Sequence, residues 1–456
     1  MKKEKALLDG KIGKTYISYL IPTIIGMLTN SVYCIVDVMF VGIYVGSEGL
    51  AALNIAMPIF TFYSSIGLML GIGGATTISV LIGQGDKQNV DKVFSFTIFL
   101  SAAIGLLVTI LGIIFLEPFA IMMGATPELL QGVKYYTFPL QCTALFYILN
   151  CTMQVIIRAD YNPKLVMTAA VVANGLNIFF DWLFVGVYGW GLTGAAAATA
   201  IGPVVAIVIL SFHYTLKKNT MHFKLHCLDK NLIKRVFQNG IGTFILEFSS
   251  GAVIFMFNFV LLRVSGQAAV AVYAIISNIA YVGKGIFNGI SQAAQPLISV
   301  NYGAANYNRV KKSMLITAVT GFLFAGLTSL AIFLFPAQIV GIFIGDDIAL
   351  LPIGVNAAKI YFISFVFTGI NTVLMYYFQS VENMKVASLI AILRGFILIA
   401  VGLLIFPIFF GEAGVWITIT FAEVVTLLIA LPIKKKQDSY MHQKFNLANQ
   451  KNSAHQ

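Results

Sequence analysis

Four polar side chains set in apolar surroundings carry the chemistry of this sequence: Asp37, Asn177, Asp181 and Thr199. Two carboxylates, a carboxamide and a hydroxyl form an oxygen-rich set suited to a hard cation, and neighbouring acids raise one another's affinity for a proton. The set would therefore serve a proton relay or a small-cation site. Asp37 is the sole charge between Ile17 and Val45, and Asp181 the sole charge between Leu165 and Leu216. An ionisable group near the centre of a bilayer costs at least roughly 2.5–3.5 kcal/mol, so its default reading is an ion or substrate pathway. The alternative is interfacial, with Asp37 snorkelling outward and Asp181, followed by Trp182, acting as an anchor.

The elements that must position these groups are membrane helices. With 59% hydrophobic and 10% charged residues and a mean hydropathy of +0.88, the 456-residue chain is too apolar for an ordinary soluble domain. Spans of about twenty apolar residues are expected near 17–45, 50–80, 93–115, 132–157, 165–187 and 191–215. Six more follow near 236–262, 268–300, 313–335, 354–378, 386–407 and 414–433. With both termini cytoplasmic, the inner segments hold 24 of the 29 Lys and Arg residues, the positive-inside pattern. The first apolar run is far longer than a signal-peptide core and no small-residue cleavage site follows it, so it reads as the first span.

The chain also repeats itself. A shift of 220 places Ile21 on Ile241, Thr23 on Thr243, Gly46 on Gly266, Gly83 on Gly303, Val90 on Val310 and Gly194 on Gly414. A shift of 221 suits the fourth and fifth spans, pairing Asn162 with Asn383 and Lys164 with Lys385. Six spans per repeat give both halves the same orientation, related by an axis along the membrane normal. The expected fold is an all-α membrane protein of twelve transmembrane helices in two six-helix pseudo-symmetric lobes around a central cavity. Its segments are an N-terminal lobe (1–215), an inter-lobe link (216–235), a C-terminal lobe (236–433) and a cytoplasmic tail (434–456).

The repeat sharpens the polar set. Asp37 falls on Phe257, and Asp181 on Val401 or Gly402, so neither acid is required by the duplicated scaffold. At 1.5 Å rise per residue, Asp37 lies about eight and Asp181 about six residues inside the outer ends of their helices. Thr199 lies at about the same level on the sixth span, and Asn177 is one turn from Asp181 on the same face. Secondary candidates in the second half are Glu247, as a further cation or substrate contact or a carboxylate bonded to Ser249 or Ser250, and Glu423, read as structural. Lys284 and Arg394 are their possible counter-charges. Pro22, about four turns from Asp37 on the same helix, is the candidate moving part among five prolines inside spans.

Several classes are excluded. Gly13-Lys14-Thr15 resembles the end of a phosphate-binding loop, but Leu8 stands where its first glycine belongs, which removes an ATP-driven pump. The four cysteines show no metal-ligand spacing, and His222, His226 and Cys227 read as part of a solvated linker. Basic residues form no single patch interleaved with aromatics, so no nucleic acid is expected. No set of nucleophile, base and orienting group stands out, so the chain is not expected to be an enzyme.

The VDVMFVG run (36–42), the loop IGQGDKQNVDK, the loop RADYNPK, LNIFFDWLF on the fifth span and GLTGAAAAT opening the sixth resemble the multidrug and toxic compound extrusion (MATE) family over nearly the whole chain, most of all its DinF-like branch. The resemblance implies a polyspecific exporter of amphiphilic, often cationic compounds in exchange for H⁺ or Na⁺, with no cofactor beyond the coupling ion. It implies a cation site on Asp37, Asn177, Asp181 and Thr199, joined by Asn150, and a bending proline at Pro22. Glu247 departs from the family pattern, lying nearer the start of its helix than the acid of the NorM-like branch. The expected partners are small drug-like molecules and the lipid bilayer, the expected state a monomer, and the expected location the bacterial cytoplasmic membrane. A lipid-linked-precursor flippase of the same superfamily is the alternative. Such proteins use extra helices or a cationic cavity, whereas here four membrane acids face two membrane bases.

Overall fold

The computed structural model describes residues 7–224, 229–344 and 348–454, and among the described residues there is no β-strand. His226 and Cys227 lie outside them. The helices are α1 (Ile12–Tyr44), α2 (Ser47–Gln84), α3 (Lys87–Ile114), α4 (Pro127–Cys142 continued by Ala144–Ala159), α5 (Pro163–Val187) and α6 (Gly191–Thr215). In the second repeat come α7 (Lys230–Val264), α8 (Gln267–Gly303), α9 (Tyr307–Leu334), α10 (Leu351–Ser380), α11 (384–410) and α12 (412–446). Nine of these are unbroken apolar spans. Helix α4 is bent by 53° at Thr143, and α11 and α12 form one helical run broken at Gly411, whose φ of 57° and ψ of −135° are not helical. The twelve expected spans are thus accounted for.

Local signals set the ends. At four turns a residue with positive φ precedes an Asp or Asn that caps the next helix. Gly85 and Asp86 open α3, Tyr161 and Asn162 open α5, Ala305 and Asn306 open α9, and Glu382 and Asn383 open α11. Each capping oxygen accepts a backbone N–H three residues on, at 3.2–3.4 Å, and satisfies a donor the first turn leaves free. The four turns are two repeat-related pairs, and the positive-φ pairs Gly46/Gly266 and Gly191/Gly411 extend the correspondence to the opposite face. Helices α3, α7 and α9 each start six residues before the apolar windows do, because their first turns lie in polar sequence beyond the apolar stretch.

The chain divides into two compact units. One contains Ile21–Ile82 and Asp86–Glu247; the other contains residues 7–20, 83–85 and those from Phe248 onward. The division cuts α1 between Leu20 and Ile21, one residue before Pro22, and cuts α7 between Glu247 and Phe248. In the first unit the N-terminal end of α7 packs on α2, where Asn239 donates to Thr77 Oγ1 at 2.8 Å. In the second unit the segment leading into α1 is held by Arg309, whose guanidinium reaches the Leu7 and Gly10 carbonyls at 2.9 Å.

Segments from the expected inter-lobe link and the expected tail are docked. After α6, Met221 is buried, Thr220 bonds Asp160, and the His222 N–H reaches Asp91 at 3.0 Å. After residue 433 the last helix continues, burying Met441 and Phe445, with Asp438 accepting from Tyr377 at 2.7 Å and Gln437 from Asn383 at 2.9 Å. Each repeat thus ends in a segment that returns onto its own turns.

Candidate functional site

Three features of the first unit bring the polar set together. Helix α6 opens with Gly194, Ala195, Ala196 and Ala198, all buried, so a nearly side-chain-free surface lets α5 approach. A Cβ on Gly194 would stand 3.1 Å from the Phe184 backbone. Helix α5 passes from α to π geometry directly after Asp181, over Trp182–Val187, an insertion that re-aims the residues beside it. The bend of α4 at Thr143 separates its first segment, which carries Tyr136, from its second.

The result is a buried cluster. Asp37 is 5% exposed, Asn177 3%, Asp181 0%, Thr199 6% and Tyr136 1%. The Thr199 and Tyr136 hydroxyls lie within reach of the Asp37 carboxylate, and its charge acts on Asp181. The Asn177 carboxamide, oriented to satisfy both ends, accepts the Thr199 N–H at 3.2 Å and donates to Asp181 Oδ2 at 3.3 Å. One oxygen of each acid, Asp37 Oδ1 and Asp181 Oδ1, is buried without a hydrogen-bond partner. A buried acceptor left unmet costs about 1–3 kcal/mol, so two orphan carboxylate oxygens in one cluster favour an added proton or cation. Tyr136 was not among the sequence candidates. Its signal is only that it falls on the same helical face as buried Val133 and Leu140.

The remaining candidates lie elsewhere. Asn150, on the second segment of α4, accepts from Gln154 Nε2 at 3.0 Å, fourteen residues beyond Tyr136 and past the bend. Glu247 is half-buried, and its charge acts on Tyr147 and Cys151 of α4. Tyr147 meets Ser64 Oγ at 3.1 Å and the Phe60 ring at 6.0 Å. Glu423 is saturated. Arg394 Nη2 donates to its Oε1 at 2.8 Å, Thr368 Oγ1 at 3.1 Å, and Asn371 Nδ2 reaches its Oε2 at 2.7 Å. Arg394, not Lys284, is therefore its counter-charge. Pro22 is buried in α1. A second buried polar group also joins segments far apart in sequence: His213 bonds Asp160 Oδ2 at 2.7 Å and Asn162 at 3.1 Å.

The repeat gives the sharpest contrast. Under the shifts that align the halves, Asp37, Tyr136, Asn177 and Thr199 correspond to Phe257, Ala357, Leu398 and Ile419. Phe257, Ala357 and Ile419 belong to one hydrophobic cluster of the second unit and Leu398 packs against it, with Phe257 stacked on Tyr273 at 4.8 Å between centroids. Asp181 corresponds to Gly402, which packs against Thr418. The same backbone position is an apolar core in one repeat and a carboxylate cluster in the other.

Fold, duplication and buried acids define a membrane transport protein rather than a scaffold. The MatE family profile matches residues 22–183 and 241–404, and the chain belongs to the MATE family. It is 27% identical over 423 residues to the multidrug export protein MepA of Staphylococcus aureus strain N315, covering 92% of this chain and 93% of that one. It is 26% identical to MepA of Staphylococcus saprophyticus, with the same coverage. Among solved structures, a MATE in complex with MaL6 superposes with a TM-score of 0.92 at 24% identity, covering 97% of this chain and all of that one.

Proposed function

We propose that the protein is a secondary active exporter of amphiphilic, often cationic molecules, driven by H⁺ or Na⁺ entering at Asp37, Asn177, Asp181 and Thr199, with Tyr136 completing the set. The observation that carries this is the conversion of an apolar core into a cluster with two orphan carboxylate oxygens in one repeat alone. Burying acids where the fold accepts Phe257 and Gly402 sacrifices stability, and a bound cation recovers it. The curated relatives are named for multidrug export, which supports the substrate class.

The coupling follows from linkage. Cation and substrate that favour different conformations displace one another, and each charge entering the cell adds roughly 2.3 kcal/mol per 100 mV. Pro22 is the proposed hinge. It lacks the N–H that would stiffen α1, and it sits one residue past the point where α1 leaves one compact unit for the other. The proposed setting is the bacterial cytoplasmic membrane with both termini inside, where the basic loops place them.

The test is export of a cationic dye from proteoliposomes under an imposed Na⁺ or H⁺ gradient. Wild type is expected to respond to one gradient, and Asp37→Asn and Asp181→Asn to lose at least about tenfold in rate, the equivalent of one lost charge-assisted contact. Gradient-driven export by both variants at the wild-type rate sinks the cation site. Translocation of a lipid with no dye export under either gradient replaces the exporter with a flippase.

A further inference from the structure

Helix α8 exposes a face that does not belong in lipid. Lys284 is the eighteenth of its 37 residues, exposed, with Asn278 and Tyr281 exposed and Ser277 and Asn288 half-buried along the same side. Buried Val272, Tyr273, Ile276, Ala280, Gly283 and Phe287 form the opposite side. A lysine halfway along a span lies about 15 Å from either edge of the hydrocarbon, too deep for its stem to bring the ammonium to an interface. The lipid-type face of the same unit looks different: the exposed large residues of α9 include Leu315, Val319, Phe322, Leu323, Leu327 and Leu330. The polar side of α8 therefore meets water.

Lys284 also stands apart among the cations of the spans. Arg394 is paired with Glu423, Lys134 with Glu117, Arg263 lies over Phe259 and Lys359 over Phe333. Among the described residues no hydrogen bond or ion pair reaches Lys284. Nor does the fold ask for it. Its repeat partner is Ser64, which bonds Tyr147, and the partners of Tyr281 and Asn278 are Thr61 and Pro58.

We propose that this face of α8 binds the carboxylate of amphiphilic substrates, with Lys284 as the counter-ion. The ammonium supplies charge and three donors, Asn278 and Asn288 supply amide donors, and the Tyr281 ring and the small residues Ala271 and Ala274 accept an apolar body. The exporter then handles carboxylate-bearing amphiphiles as well as cations. A phospholipid headgroup does not suit the site, because phosphates lie at the membrane surface rather than at mid-span. The inference rests on the export reading for its purpose, but its test is binding, which no gradient affects.

The test uses the full-length protein in nanodiscs and three pyrene probes of one shape: pyrenebutyrate, its neutral amide and a pyrenebutyl trimethylammonium. Lys284→Met is expected to weaken pyrenebutyrate about ten- to a hundredfold, the value of one charge-assisted hydrogen bond, leave the amide unchanged and leave or strengthen the ammonium. Lys284→Arg is expected to restore the carboxylate. Retained ammonium binding shows that the variants are folded. Equal binding of pyrenebutyrate by Lys284→Met and wild type overturns the proposal, and so does an equal loss for all three probes, which would make Lys284 part of the scaffold. If these binding contrasts hold while wild-type liposomes export nothing, the export reading fails and the anion site stands.

Discussion

Tyr136 places a phenol against Asp37 that no spacing rule announced. The four oxygen-bearing residues found by depth and repeat were legible because each is a polar exception on an apolar helix. A tyrosine on a half-apolar helix is not an exception, and only the packing of α4 on α1 and α6 reveals it. Its hydroxyl is a donor to the charged acid, so Tyr136→Phe keeps the shape and removes one hydrogen bond of about 1.5–3 kcal/mol. Losing a donor to the charged acid favours its neutralised form, so the expected outcome is a half-saturating ion concentration for dye export lowered about tenfold or more. Tyr147→Phe, away from the cluster, is the control and should leave that concentration where it was. Asn150 was drawn into the site by resemblance alone, and it lies fourteen residues beyond Tyr136, past the bend at Thr143.

Helices were legible to their cores and not to their ends. Hydropathy sees the stretch that crosses hydrocarbon, whereas α3, α7 and α9 begin a turn or more earlier in polar sequence. The docked segments after α6 and after residue 433 escaped because their anchors are single residues, Met221, Met441 and Phe445, in otherwise polar sequence. Pairing between elements was equally hidden. Glu423 on α12 had two possible counter-charges, and the structure joins it to Arg394 on α11, with Thr368 and Asn371 of α10 completing the network. A saturated buried pair and an unsaturated buried acid respond oppositely to neutralisation. Glu423→Gln strands the Arg394 guanidinium and is expected to cost about 3–5 kcal/mol, read as a lowered apparent Tm of the purified protein. Asp37→Asn relieves an acid whose Oδ1 has no partner and whose neighbour is another acid, so it should leave that Tm unchanged or higher.

At the scale of the whole molecule the duplication is both the most legible feature and the strongest constraint on the site. Matching turns with positive φ show that the two repeats follow one backbone plan, so residues at corresponding positions occupy comparable volumes. Asp37 with Tyr136 in the first repeat stands where Phe257 with Ala357 stands in the second, a small group against a large ring in one and the reverse in the other. That compensation makes a quantitative prediction. Asp37→Phe alone forces a ring against Tyr136 and should cost about 1–3 kcal/mol as overpacking. Tyr136→Ala alone leaves a hole and should cost about 3–5 kcal/mol. In the double variant the new ring fills the hole, and two buried polar groups are exchanged for an apolar pair already proven in the other repeat. Its stability should return to within about 1 kcal/mol of wild type, a coupling well beyond the few tenths expected of independent sites. Thermal unfolding of the four proteins side by side measures it, and strictly additive losses would show that the two pairs do not occupy equivalent space. The same double variant should be inert in gradient-driven export. A chain that keeps its fold while losing transport would separate the scaffold, which both repeats share, from the proposed ion site, whose acids the first repeat alone carries.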